Sequence, residues 1–379
     1  MLKAYSYRIY PNKKQIELFE KHFGCVRYVY NYGLQRKIEE YNGNGNSLSC
    51  FSLMKEITKL KKDLHWLSEV NAQSLQVSLR NLDNAYTRFF REHKGFPKFK
   101  NKNSQQSFSC PQAIKLSGKY LSIPKIKNIK CIVDRNFEGK IKNTTIKKTT
   151  TGKYFVSILV DDGKELPKKV EIKKAIGIDL GIKSFATIST GEKINNPKFF
   201  NTSLKRLKVL QRRLSKKKKG SKNRIKANLK VALLNEKIFN QRKDFLHKLS
   251  TRLVSENQAI CLEDLNVSGM MKNHCLARHI QDCGWSEFVR QLEYKSEWSG
   301  KHIFKIGRFQ PSSKICSCGA INHDLKLSDR VWTCKVCGLT HDRDILASQN
   351  ILKFSGQGLS DVSVEMLSLD KSMKQKIIY

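Results

Sequence analysis

The stretch Ala175-Ile-Gly-Ile-Asp-Leu-Gly-Ile-Lys-Ser-Phe-Ala-Thr-Ile-Ser189 decides how the chain is read. It predicts two β-strands joined at a glycine, with Asp179 at the end of the first. A carboxylate there is expected at a sheet edge, within reach of a metal ion, and Gly181 is expected to let backbone or substrate approach closely. Alone, G-x-D-x-G carries little weight, because Asp before Gly is commonly a turn former.

Two further segments give Asp179 its meaning. Gln258-Ala-Ile-Cys-Leu is an apolar run of strand length, and it ends in Glu263. His341-Asp-Arg-Asp then opens a helical pattern 81 positions beyond Glu263. Residues i and i+2 of a helix point roughly 200° apart, so Asp342 and Asp344 cannot both face one ion pair. Asp344 shares a face with Ala347, Ser348 and Ile351, small or apolar residues that let a helix lie close to a sheet, whereas Asp342 stands where an N-cap is expected. Asp179, Glu263 and Asp344 are thus the candidate catalytic carboxylates. An RNase H-type nuclease uses such a set to hold two Mg²⁺ ions, and hard oxygen ligands suit Mg²⁺ or Mn²⁺ rather than Zn²⁺.

Composition narrows the substrate. The 379 residues carry 72 Lys and Arg against 33 Asp and Glu, a formal charge of +39 that calls for a polyanion. Nucleic acid is the polyanion expected. Residues 203–230 concentrate the excess, with thirteen Lys or Arg and no acid to pair with them. Lys216, Lys217, Lys218, Lys219, Arg212, Arg213 and Arg224 are the phosphate contacts this predicts, through counterion release. No apolar run approaches the roughly 20 residues that span a bilayer, and the N-terminus lacks the apolar core of a signal peptide. An intracellular location is the expectation. A reducing compartment argues against disulfides among the eleven cysteines.

Four cysteines cluster. Cys334-x-x-Cys337-Gly has the spacing of a zinc knuckle, and Cys316-Ser-Cys318-Gly is its irregular partner, with one intervening residue where two are usual. Cys316, Cys318, Cys334 and Cys337 are the expected Zn²⁺ ligands, with His323 and His341 as spares.

Upstream, Leu2 to Tyr10 alternates like a strand, and Pro11 leads into a helix with Ile16, Phe19, Phe23 and Val26 on one face. A second helical stretch covers about 67–92, residues 115–162 read as β with a hairpin around Thr149-Thr-Thr-Gly152, and 163–174 reads as a linker. Gln73, Ser74 and Gln76, on the second helical stretch, are candidate readers of a DNA duplex. Tyr28, Tyr30 and Phe96 could stack on bases, but such residues are more often core.

Taken together, Tyr7-Arg-Ile-Tyr-Pro, Gly95-Phe-Pro-Lys-Phe-Lys, Gly177-Ile-Asp-Leu-Gly-Ile, the helix Asn240-Gln-Arg-Lys-Asp-Phe-Leu-His, Leu262-Glu-Asp-Leu-Asn, Pro311-Ser-Ser-Lys with the cysteines, and His341-Asp-Arg-Asp resemble the TnpB family. These are RNA-guided nucleases of insertion-sequence transposons, related to the CRISPR type V effectors. The resemblance spans nearly the whole chain, and no single motif carries it. It implies a multidomain α/β protein with an RNase H-like RuvC nuclease domain over 169–310 and 340–355, split by a zinc ribbon over 311–339 that binds target nucleic acid. It further implies a wedge β-barrel formed by 1–10 and 111–168, interrupted by a helical recognition domain over 11–110. A C-terminal tail over 356–379 is read as prone to disorder. The implied partners are a guide RNA from the transposon end and double-stranded target DNA cut beside a transposon-adjacent motif, with the protein a monomer in a ribonucleoprotein. The C-x-C of Cys316 and Cys318 departs from the family's usual C-x-x-C.

Two other functions fit parts of this pattern. A guide-dependent repressor that binds without cutting would satisfy the charge equally well, and loss of one carboxylate would mark it. A DNA-strand-transfer transposase would call for a His-x-His motif, which is absent, or for the acidic order Asp, Asp, Glu in place of Asp, Glu, Asp.

Overall fold

A computed structural model describes residues 1–356, apart from Ser104, Phe309 and Leu327. The tail assigned above lies, beyond Gly356, outside the described residues. The chain divides into two compact units, Met1–Glu165 and Leu166 onward.

The first unit contains β1 (Leu2–Tyr10), α1 (Lys13–Asn44), α2 (Cys50–Asp63), α3 (Ala72–Glu92), β2 (Gln106–Cys110), β3 (Lys115–Ser117), β4 (Tyr120–Ile123), β5 (Ile126–Ile132), β6 (Lys140–Lys148) and β7 (Tyr154–Asp161). Its seven strands form one antiparallel sheet in the order β2-β6-β7-β1-β5-β4-β3. Alternation in β1 turns Tyr7 and Ile9 into the core beside Val156 and Ile158 of β7, as a period of two requires. Helix α1 starts in a capping box, Asn12 Oδ1 accepting from Gln15 N and Gln15 Oε1 from Asn12 N, both at 2.9 Å. Such a cap contributes about 1 kcal/mol. The helix then serves two cores: Phe19 and Phe23 pack on the sheet, while Val29, Tyr30 and Leu34 pack with α2 and α3. The helical interval of 11–110 is therefore not purely helical, because β2 belongs to the sheet. The hydrophobic period of α3 also begins later than expected, at Ala72, because residues 65–68 form a separate 3₁₀ turn.

The second unit contains β8 (Ala175–Leu180), β9 (Ser184–Ile188), β10 (Lys193–Asn195), α4 (Phe199–Ser215), α5 (Lys222–Glu256), β11 (Ala259–Glu263), α6 (Val267–Met270), α7 (Ala277–Cys283), α8 (Trp285–Trp298), β12 (His302–Ile306), β13 (Val331–Thr333), β14 (Thr340–Asp342) and α9 (Arg343–Gly356). The main sheet runs β10-β9-β8-β11-β12, antiparallel through β8 and parallel from β8 to β12. Leu246, Leu249 and Leu253 of α5 and Phe288 and Leu292 of α8 join one core with Ile176, Ile178 and Leu262. Cys261 and Ile306 pack instead with Ile351 of α9.

Strand β8 is not at the sheet edge, as the sequence suggested, but third of five. The closest approach also falls at a different glycine. A Cβ on Gly177 would lie 2.0 Å from the Ser348 carbonyl oxygen and 2.8 Å from Leu352 N, so only glycine lets α9 rest on β8. A Cβ on Gly181 would meet only Ser184 of its own turn, at 2.9 Å. The segment read as a linker is free of helix and strand, but its second half is held within this unit: Val170 N donates to Gly300 O at 2.8 Å.

Candidate functional site

Strand register brings two of the three carboxylates to one end of the sheet. Parallel pairing of Ile178 with Leu262 carries the following residues, Asp179 and Glu263, to neighbouring strand ends, about 4.8 Å apart in backbone. Gly177 and Asp179 share a face by strand alternation, and that face carries α9. Ser348 of α9 sits over Gly177, and Asp344 stands one turn earlier in the helix, on the side of Asp179.

The electrostatics record this convergence. Burial first, and then the Glu263 and Asp344 carboxylates, together raise the Asp179 carboxyl to about 7, against the opposing influence of Arg343 and Arg330. Glu263 and Asp344 each have a polar neighbour: Ser312 Oγ donates to Glu263 Oε1 at 2.5 Å, and Arg330 lies 3.4 Å from Asp344 Oδ1. The three do not close on a single point. Among the described residues, the only set of three or more metal-ligating groups with all ligand atoms within 4.8 Å is the cysteine set. A cleft of about 240 Å³ opens beside Glu263, lined by Leu180, Trp285, Arg290 and Lys305 among others.

Asp342 is engaged elsewhere. Its Oδ1 accepts from Asp344 N at 3.1 Å and Ile345 N at 3.2 Å, which is the N-cap geometry, and its Oδ2 meets Lys193 Nζ at 2.6 Å. Burial opposes its ionisation, but Lys193 and the helix N–H groups hold it below the usual carboxylate range.

The four cysteines meet despite the irregular spacing. Cys316 and Cys337 sulfurs lie 3.5 Å apart and those of Cys318 and Cys334 3.7 Å. Tetrahedral zinc with Zn–S of ~2.3 Å implies sulfur separations of ~3.8 Å, so the set fits that ion. The C-x-C half is formed by a tight turn, in which Cys316 N donates to Ala320 O at 2.8 Å and Gly319 takes φ 93°. In the other half, backbone N–H groups of Cys337 and Val336 pull the Cys334 thiol down, while Cys337, hydrogen-bonded to the other cysteines, is pushed up, so the set shares its protons until a cation displaces them. His341 Nε2 lies 3.0 Å from Cys316 Sγ, which makes it a neighbour of the cluster. Strands β13 and β14 pair up to Asp342, three residues past the expected end of the ribbon, and α9 follows with no intervening loop.

The expected nucleic-acid contacts divide. Arg212, Arg213 and Lys216 to Lys219 are exposed at the tip of the α4–α5 hairpin. Arg224 is half-buried and binds the Leu214 and Lys217 carbonyls at 3.1 and 2.9 Å, so it closes the turn that presents the lysines. Ser74 is a correction: it is buried, and its hydroxyl donates to Ser109 O at 2.8 Å, so it cannot meet a duplex. A serine on the inward face of an amphipathic helix looks in sequence like one on the outward face. Gln76 is exposed, and Gln73 pairs with Gln112 at 2.7 Å. Tyr30 is core, whereas Tyr28 and Phe96 are exposed. Among the described residues no helix is long and apolar enough to cross a membrane.

Three family profiles match the chain: OrfB_IS605, described as a probable transposase, over residues 154–274; the Cas12f1-like TNB domain over 285–351; and the OrfB_IS605 helix-turn-helix domain over 1–46. A Streptomyces pristinaespiralis protein named for RNA-guided DNA endonuclease activity is 39% identical over 358 residues, covering 92% of this chain and 88% of that protein. InsQ of Escherichia coli K12, named likewise, is 30% identical over 394 residues, covering 99% and 97%. In fold the chain is similar to Cas12f1 solved with single guide RNA and target DNA, at TM-score 0.56 and 16% identity, over 90% of this chain and 83% of that one. The chain belongs to the OrfB_IS605 family, the TnpB proteins.

Proposed function

We propose that the protein is an RNA-guided, divalent-metal-dependent endonuclease that cuts double-stranded DNA beside a transposon-adjacent motif. The observation that carries the reading is the convergence of Asp179, Glu263 and Asp344, from β8, β11 and α9, where burial and then the two neighbouring carboxylates raise the Asp179 carboxyl to about 7. Three carboxylates drawn together at this cost, with hard oxygen donors only, form a site that a cation completes. When bound, Mg²⁺ or Mn²⁺ ions supply water activation and neutralise the leaving oxygen of the phosphodiester. The residues' own part is placement. The parallel register fixes Asp179 against Glu263, Gly177 lets α9 bring Asp344 to the same face, and Ser312 donates a hydrogen bond to the Glu263 carboxylate.

The strand order β10-β9-β8-β11-β12 with acids on β8, β11 and the last helix supports reading the second unit as a RuvC-like nuclease domain, with Zn²⁺ held by Cys316, Cys318, Cys334 and Cys337 in an inserted ribbon. The seven-stranded sheet of the first unit supports the wedge assignment, and α1 to α3 the recognition helices. Guide RNA and target DNA are the partners that the +39 charge and the relatives' names both favour. Lys216 to Lys219 meet phosphate, and pairing with the guide reads the target.

Asp179→Ala tests the reading. The ribonucleoprotein, assembled with RNA from its own locus, should lose cleavage in Mg²⁺ while still binding guide RNA and target. A variant that cuts at the wild-type rate would remove the mechanism. A wild-type protein that binds target and never cuts would identify a repressor.

A further inference from the structure

Glu263 and Asp344 are joined by a short relay of side chains that the motif match does not call for. The Ser312 hydroxyl donates to Glu263 Oε1 at 2.5 Å, within the range of a charge-assisted O–H···O⁻ bond. Ser312 is only 6% exposed. Its own carbonyl accepts from Asn350 Nδ2 at 2.7 Å, and the same nitrogen donates to Ile315 O at 2.7 Å. Both amide protons of Asn350 are therefore spent on one loop. Asn350 is 3% exposed and lies on α9, the helix that carries Asp344.

A serine hydroxyl has one proton to give. Donated to Oε1, it leaves Oε2 to face a cation and stops rotation of a carboxylate at the end of three rotatable bonds. The loop that presents the hydroxyl is in turn fixed to α9 through Asn350. A displacement of α9 thus moves Asp344 and the Glu263 anchor together.

We infer that Ser312 is a positioning residue for Glu263, with Asn350 holding Ser312, so that the carboxylates on β11 and α9 keep one spacing for the metal ions. The inference rests on the triad reading proposed above. A hydroxyl that merely satisfied a buried loop would tune stability. One that orients a ligand tunes metal affinity, where neighbours of ligating groups typically act at the ~10–100-fold level.

The test uses the full-length protein with its guide RNA and compares Ser312→Thr with Ser312→Val, two side chains of like shape of which only the first donates. Mn²⁺ binding is followed by electron paramagnetic resonance without turnover, and the Mg²⁺ midpoint for cleavage is measured in parallel. Ser312→Val should weaken Mn²⁺ binding and raise the Mg²⁺ midpoint ~10–100-fold, with the cleavage rate largely restored at saturating metal. Ser312→Thr should stay near wild type in both. Equal metal binding by wild type and Ser312→Val would overturn the inference, as would equal loss of folding by the Thr and Val variants. Glu263→Ala separates the two levels: if it still cuts, the triad reading fails. If it is inactive while Ser312→Val is normal, only the positioning role is lost.

Discussion

Replacing Gly177 with alanine should silence cleavage without touching a carboxylate. The added Cβ would stand 2.0 Å from the Ser348 carbonyl oxygen, 2.8 Å from Leu352 N and 3.0 Å from Leu352 Cβ. The two nearest of these atoms are backbone, so no rotamer change relieves the overlap. Restoring an ordinary 3.4 Å contact requires α9 to retreat by about 1.4 Å from β8. Overpacking of this kind costs about 1–3 kcal/mol, which a domain of this size survives. The consequence for chemistry is larger, because Asp344 rides on the displaced helix, and misplacement of about 1 Å in a catalytic constellation lowers rate by about 100-fold. Gly177→Ala should therefore lower the melting temperature by a few degrees, retain guide RNA and target binding, and cut at about one-hundredth of the wild-type rate. Truncating Ser348 to glycine in the same chain should not rescue it, since the blocking oxygen is main-chain. Wild-type cleavage by Gly177→Ala would refute the claim that contact between α9 and β8 sets the site.

Three further outcomes follow from the geometry. Asp179 titrates at about 7 in the folded chain against 3.8 ordinarily, so the native state binds the extra proton and metal-free stability falls as pH rises from about 4 to 7. Asp179→Asn should remove that loss: in chelator it should be more stable than wild type at pH 8, by at most about 4 kcal/mol, and equal to it near pH 4. Equal melting curves at pH 8 would contradict this. Elemental analysis should find close to one zinc per chain, and Cys334→Ser should reduce it and destabilise α9; full zinc content in that variant would exclude the ribbon assignment. Changing Lys216 to Lys219 to glutamine should weaken RNA or DNA binding and flatten its salt dependence by up to about four ions' worth, whereas Arg224→Ala should loosen the α4–α5 turn with a smaller change in slope; an unchanged slope in the lysine variant would dismiss the hairpin tip as a phosphate contact.

The candidate residues were easier to pick out than their setting. Asp179, Glu263 and Asp344 could be picked out because each ends a strand or starts a helix, positions that strong local periodicity marks. The choice between Asp342 and Asp344 followed from helix geometry, and the N-cap bonds of Asp342 agree with it. Non-local placement was hidden. That β8 is central, that Gly177 rather than Gly181 receives a helix, and that Ser312 reaches Glu263 all depend on segments far apart in the chain. Ser74 failed for a related reason, since its burial is set by the sheet beneath α3 rather than by α3 itself. Pro311-Ser-Ser-Lys was visible as a motif, but only the fold shows that its first serine serves a carboxylate.

The direct passage from β14 into α9 has a consequence for biosynthesis. Asp179 leaves the ribosome 165 residues before Asp344, and between them come β11, β12 and the whole cysteine hairpin. The third acidic group follows directly on that hairpin, whose base is closed where Arg343 N donates to Arg330 O at 2.8 Å. On the proposed reading, the basic α4–α5 hairpin is made well before Asp344, and the acidic set is complete only once α9 has formed.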